Sequence, residues 1–178
     1  MSAVTRPSPE PMYDDWDDDD QNIDETQLVT FKLGSDEYGL PIMHVQEILR
    51  MSTIARLPSA PPYVEGVMKL RGDVLLVIDL RKRLNLRPSE HSAKSRIVVV
   101  THEGRTLGLV VDSISSVLRL ANSSIKPAHE IAAILRSTHV MGIAAIEKRL
   151  IVVLQTENLL SDEDLPPLDL SALQAPHA

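Results

Sequence analysis

Glu65-Gly66-Val67-Met68-Lys69-Leu70-Arg71-Gly72-Asp73-Val74-Leu75-Leu76-Val77-Ile78-Asp79-Leu80-Arg81 decides how the rest of this chain is read. Two short apolar segments, residues 66–70 and 74–78, flank a turn at Arg71-Gly72-Asp73. Val, Leu and Ile at this density, punctuated by Gly and Asp, predict a β-hairpin whose second arm is largely buried. Asp79 is placed to cap one helical turn through Arg83, because its carboxylate can accept from the free amides there. Arg71 then stands on a short, rigid turn.

Working outward toward the N-terminus, residues 57–62 (Leu-Pro-Ser-Ala-Pro-Pro) form a proline-rich loop with few ladder donors. Residues 43–51 are expected as a single helical turn near Met43 to Val45, followed by a strand through Met51. Residues 28–33 and 38–42 read as strands on either side of a turn at residues 34–37. Residues 1–25 carry Pro7, Pro9, Pro11 and an Asp run around Trp16. They are read as a disordered acidic arm, because so polar a segment cannot bury enough apolar area to order itself. At the other end, residues 165–178 are expected to be a flexible tail.

The second half repeats the first. Tyr38-Gly39-Leu40-Pro41-Ile42 with Val45, Ile48, Leu49 and Arg50 matches Leu107-Gly108-Leu109-Val110-Val111 with Ile114, Val117, Leu118 and Arg119, at an offset of 69. Residues 66–70 and 74–78 match 142–146 and 150–154 at an offset of 76. Glycines falling at matched positions favour duplication over chance likeness between Val/Ile strands, since Gly marks a particular backbone geometry. The expected fold is all-β: two SH3-like five-stranded β-barrel subdomains, about 27–90 and 95–164 with the exchange of strands between them left open, and short helical turns. The tips differ, Arg71-Gly72-Asp73 in one hairpin against Glu147-Lys148-Arg149 in the other. Divergence there puts contact surfaces at the tips and shared scaffold in the arms.

Composition narrows the function. No cysteine is present, which excludes disulfides, thiolate catalysis and Cys-ligated metal. A net charge of −7 and 3% aromatics argue against a nucleic-acid binder, which needs a basic face and stacking rings. No apolar run reaches the roughly 18 residues of a membrane span, and no signal-peptide pattern opens the chain. The six histidines are scattered, with no i, i+4 pair for a metal, and no phosphate loop or nucleophile elbow occurs. Asp79 and Asp112 could be offered as a carboxylate pair, but Asp79 is better read as a cap and Asp112 as a polar position on an apolar strand. The expectation is therefore a non-enzymatic protein with no cofactor and no metal. Its function lies in a groove lined by Val45 and Ile48 and edged by Glu47 and Arg71, suited to an amphipathic helix.

Four motifs in register, residues 37–42, 45–48, 66–72 and 77–81, together resemble the CheW family of bacterial chemotaxis coupling proteins across residues 27–164. The resemblance implies a scaffold coupling the cytoplasmic hairpin of methyl-accepting chemoreceptors to the regulatory domain of the CheA histidine kinase. It also implies CheW-like subunits closing into rings, and a cytoplasmic location at membrane-associated receptor arrays without insertion into the membrane. An adaptor of a non-flagellar chemosensory pathway would use the same scaffold. Positions matching the family's receptor contacts are Val45, Glu47, Ile48 and Arg71, and the kinase-facing edge would lie near Arg96 and Ile97. Lys69 stands where relatives commonly have Asn.

Overall fold

The computed structural model describes residues 24–127 and 139–159. The acidic arm, apart from Asp24 and Glu25, and the C-terminal tail lie outside them. Among these residues, eleven strands in chain order build two sheets. They are β1 (Glu25–Leu33), β2 (Asp36–Pro41), β3 (Val45–Arg50), β4 (Val64–Leu70), β5 (Asp73–Asp79), β6 (Arg96–His102), β7 (Arg105–Val111), β8 (Ser113–Ala121), β9 (Ile125–Pro127), β10 (Val140–Ile146) and β11 (Arg149–Leu154). A 3-10 turn, Ile42–His44, precedes β3, and single helical turns follow β5 and β11: α1 (Leu80–Arg83) and α2 (Thr156–Leu159). One sheet runs β8-β1-β2-β11-β10-β9 and the other β3-β6-β7-β5-β4.

The opening stretch folds as its pattern dictates. Strands β4 and β5 pair antiparallel across a loop of just Arg71 and Gly72, Asp73 being already the first strand residue. Both loop residues have positive φ, 50° and 85°, the combination a two-residue hairpin turn of right-handed twist demands. The second arm is buried on both faces, which is why it reads as an unbroken apolar run. Leu75 and Val77 pack with Met68, Ile97, Val99 and Val110 inside one sheet, while Leu76 and Ile78 join a core shared between the sheets. Asp79 accepts from the amides of Arg81, at 3.0 Å, and Lys82, capping α1. The first strand begins three residues earlier than the expected 28–33, since Glu25 is the first residue of β1, paired with Ala121.

Duplication is visible residue by residue. Leu28, Ala144, Ile151 and Val153 form the interior of the other sheet, and they are the repeat equivalents of Ile97, Met68, Leu75 and Val77. Gly66 and Gly142 are matched because a crossing backbone passes over each. A Cβ on Gly66 would lie 2.0 Å from the Ala55 carbonyl oxygen, and one on Gly142 2.3 Å from that of Lys126. Ala55 bridges to Val67, and Lys126 pairs with Ile143 within β9, which adds a short sixth strand to the expected five.

Subdomain boundaries depart from the two halves of the chain. One sheet is contiguous, β3 to β7. The other takes β1 and β2 from the first half and β8 to β11 from the second, so each sheet combines strands from residues 27–90 with strands from 95–164. The chain crosses between sheets at residues 42–44 and again at Asp112, equivalent places in the repeat. Each copy therefore gives its first hairpin to the other copy's sheet, joined by the parallel pairs β5·β7 and β2·β11. Gly108 and Gly39 sit in those parallel pairs, opposite Val77 and Val153. Phe31, Tyr38 and Leu40 from one sheet meet Ile78, Val98 and Leu109 from the other in the shared core, which locks the two together.

Candidate functional site

Strand β3 ends its sheet and pairs on one side, with β6. Its register slips between Val45 and Glu47, so Gln46 is an extra residue, a β-bulge. The bulge has a consequence for side-chain direction. Val45 stands opposite Val100 and Ile48 opposite Val98, so both lie on the face of β6 that turns toward the shared core. Without the extra residue, a spacing of three would put them on opposite faces. Val45 is half-buried against that core, whereas Ile48 is 41% exposed.

Glu47 and Leu49 point the other way, opposite Val99 and Ile97. There Arg71 reaches back from the hairpin turn and grips Glu47 with both guanidinium nitrogens: Nη2 donates to Oε1 at 2.8 Å, and Nη1 to Oε2. The hydrogen bond from Arg71 holds the Glu47 carboxyl below the ordinary Glu range and pushes the Arg71 guanidinium upward. This fork-on-carboxylate geometry fixes Arg71 on the surface, where most of its side chain stays in water. Of the four candidate contact residues, the structure thus joins Glu47 to Arg71 and sets Val45 with Ile48 on the opposite face of the same strand. The groove does not carry all four along one wall.

Arg96 and Ile97 fare differently. Ile97 is fully buried inside its sheet, and β6 is hydrogen-bonded on both sides, by β3 and β7. It is not an edge, and the Ile97 side chain offers nothing to a partner. Arg96 is half-buried, with Nη1 donating to the carbonyls of Ala93 at 2.9 Å and Ser95 at 2.8 Å. It stands directly opposite Arg50, on the Ile48 face.

Charged groups elsewhere are structural. Asp112, which sits at the crossing between β7 and β8 rather than within a strand, accepts from Gly34 N at 2.7 Å and from Arg81 Nε at 3.0 Å. The Arg81 hydrogen bonds hold its carboxyl below the usual Asp range. Arg149 grips Glu37 with Nε and Nη2 in the same bidentate way. Glu65, Asp79 and His91 bring metal-ligating atoms within 4.8 Å of one another, a cluster the scattered sequence positions did not reveal. Two of its members are engaged with each other, His91 Nε2 lying 3.2 Å from Glu65 Oε1, and Asp79 is committed to the cap of α1.

The family model for the CheW-like domain matches residues 27–164. The chain belongs to the CheW-like family. A probable chemotaxis protein CheW of Rhizobium etli is 35% identical over 143 residues, 80% of this chain and 92% of that one. The chemotaxis protein CheW of Klebsiella aerogenes is 33% identical over 143 residues, 80% of this chain and 86% of that one. The crystal structure of the scaffolding protein TtCheW from Thermoanaerobacter tengcongensis superposes with a TM-score of 0.72 at 31% identity, covering 80% of this chain and 97% of that one. The two-sheet, strand-exchanged architecture is thus that of a CheW structure. Within the described residues no helix is long and apolar enough to cross a membrane.

Proposed function

We propose that this chain is a non-enzymatic chemotaxis adaptor that docks a chemoreceptor's cytoplasmic helical hairpin on β3 and couples it to a CheA-type histidine kinase. One observation carries the docking site. Ile48 is a large apolar side chain left exposed on an end strand, on the same face as half-buried Val45. An apolar residue in that position suits the apolar face of an amphipathic helix. Membership of the CheW-like family supports the same reading. A kinase contact cannot use the Ile97 side chain, which is core.

Binding of the full chain to a receptor cytoplasmic fragment and to the kinase from the same cell tests the proposal. Ile48→Asp is expected to lose the receptor fragment and keep the kinase. Arg71→Glu is expected to weaken receptor binding while thermal stability stays at the wild-type value. Receptor binding unaffected by Ile48→Asp would end the assignment of β3 as the docking strand.

A further inference from the structure

We infer that Arg50 and Arg96 form a charge-reading end of this docking face and select a docked helix that carries a carboxylate about one turn from its apolar anchor. The inference rests on β3 being the docking strand. Its own evidence is the register of β3 on β6, which sets Arg50 directly across from Arg96, two residues beyond the Ile48–Val98 pair and on the same face. Side chains so placed have Cβ atoms about 5 Å apart, and like charges there repel.

Nothing among the described residues relieves that repulsion. Arg71, Arg81 and Arg149 each hold a carboxylate bidentately, but neither Arg50 nor Arg96 has an acidic partner. Arg50 is exposed. Arg96 is oriented by the Ala93 and Ser95 carbonyls through one nitrogen, Nη1, which leaves Nη2 and Nε for a ligand. The repeat equivalent has no such pair: Arg119 stands opposite Gln27, a neutral residue. Two unneutralised guanidiniums therefore belong to this face alone of the two end-strand faces.

Spacing supplies the rest. Ile48 and Arg50 are separated by about 7 Å along the strand at the usual rise. A helix advances about 5.4 Å per turn, so a helix lying along β3 with an apolar residue on Ile48 brings the residue three or four positions away over the Arg50–Arg96 pair. Glu or Asp at that position meets two cations; Lys or Arg is rejected. Recognition by opposite charge would govern partner choice and register more than total affinity. Arg96 is accordingly a receptor-face residue rather than part of a separate kinase edge.

The test titrates the full chain with a recombinant receptor hairpin fragment at low and high salt. Arg50→Glu, at an exposed position, should weaken binding about tenfold at low salt and remove much of the salt dependence. A fragment whose carboxylates flanking the anchor are changed to Lys should bind Arg50→Glu more tightly than wild type. Equal binding by wild type and Arg50→Glu, with Ile48→Asp still inactive, overturns the charge reading and leaves the docking strand standing. Wild-type binding by Ile48→Asp overturns both. An Arg50→Glu effect that vanishes when residues 1–23 are deleted also overturns it, because the pair would then serve the chain's own acidic arm.

Discussion

Replacing Gly66 by Ala should be among the most damaging single-methyl additions in this chain. The new Cβ would sit 2.0 Å from the Ala55 carbonyl oxygen, against an ordinary contact of 3.4 Å or more, so the crossing strand must retreat by more than an ångström. That retreat breaks a reciprocal pair of backbone hydrogen bonds, Ala55 N to Val67 O and Val67 N to Ala55 O, both 2.8 Å. Losing them costs about 1 kcal/mol each. Gly66 also has φ of 146°, which an L side chain adopts only under strain of about 1–2 kcal/mol. Together these give about 3–4 kcal/mol, a large share of a domain's total stability. Gly72→Ala is the internal control: φ is 85° but no atom lies within 4 Å of the added methyl, so strain acts alone at about 1 kcal/mol. Gly142→Ala meets the Lys126 carbonyl at 2.3 Å without a positive φ and should fall between, at about 2 kcal/mol. Urea unfolding of the three variants measures the order, and hydrogen exchange at the Val67 amide reports the bridge. If Gly66→Ala were no more destabilising than Gly72→Ala, the claim that a crossing backbone holds β4 would be refuted.

Other expectations concern charge. The Asp112 carboxyl is held below its ordinary value of 3.8, so its contribution to stability is complete above that value and is lost as pH falls through the folded-state value. Urea midpoints measured through the acid range should therefore fall less steeply for Asp112→Asn than for wild type; parallel curves would show that the Arg81 pair does not couple to folding. Asp79 has the opposite sign, because burial raises its carboxyl, so its ionisation opposes folding at neutral pH and the penalty lifts on acidification. Asp79→Asn keeps an equally good cap without the buried charge and should cost little, whereas Asp79→Ala should cost about 1 kcal/mol. Equal loss in the two variants would mean that the cap is not what Asp79 provides.

Much of the fold was legible because the deciding patterns are local. A Gly-containing turn, an Asp before a helical turn and apolar runs of strand length each depend on a few neighbouring residues. The structure meets them to within a residue or two: β3 starts at Val45 after a 3-10 turn, and α1 follows Asp79. Strand exchange was not legible for a definite reason. A repeat shows that β2 and β7 are equivalent, but both copies of β5 and β11 present the same apolar surface to them. Pairing β2 with its own copy or with the other copy leaves the alternation unchanged. What decides is where the connecting segments at residues 42–44 and at Asp112 send the chain, and short polar crossings carry no periodic signal.

The functional face was half legible for a related reason. Glu47 stood out as a charge among apolar neighbours, and Arg71, 24 residues away, answers it across the sheet. The facing of Val45 and Ile48, by contrast, hangs on a single inserted residue, Gln46, which resets a period of two without altering composition. Arg50–Arg96 is a register fact of the same kind, invisible until β3 is laid on β6.

Comparison of the two copies then says what selection has kept and changed. The first turn residue has positive φ in both hairpins, 50° at Arg71 and 53° at Glu147, so the turn's entry geometry survives while its charge is reversed. Ile48 has the exposed Val117 as its equivalent, whereas Glu47 corresponds to Ser116, which instead bonds Thr30. An exposed apolar residue on the end strand is thus common to both copies; the second hairpin also anchors an arginine, Arg149, but on Glu37 of β2, with a 3.4 Å contact to Ser116 in place of a carboxylate on the end strand. A partner that reads only the apolar strand could use either sheet. One that requires Ile48 together with the Arg50–Arg96 pair, which Arg119 and Gln27 do not reproduce, is confined to the β3 face, and that confinement would turn a pseudo-symmetric scaffold into an asymmetric connector.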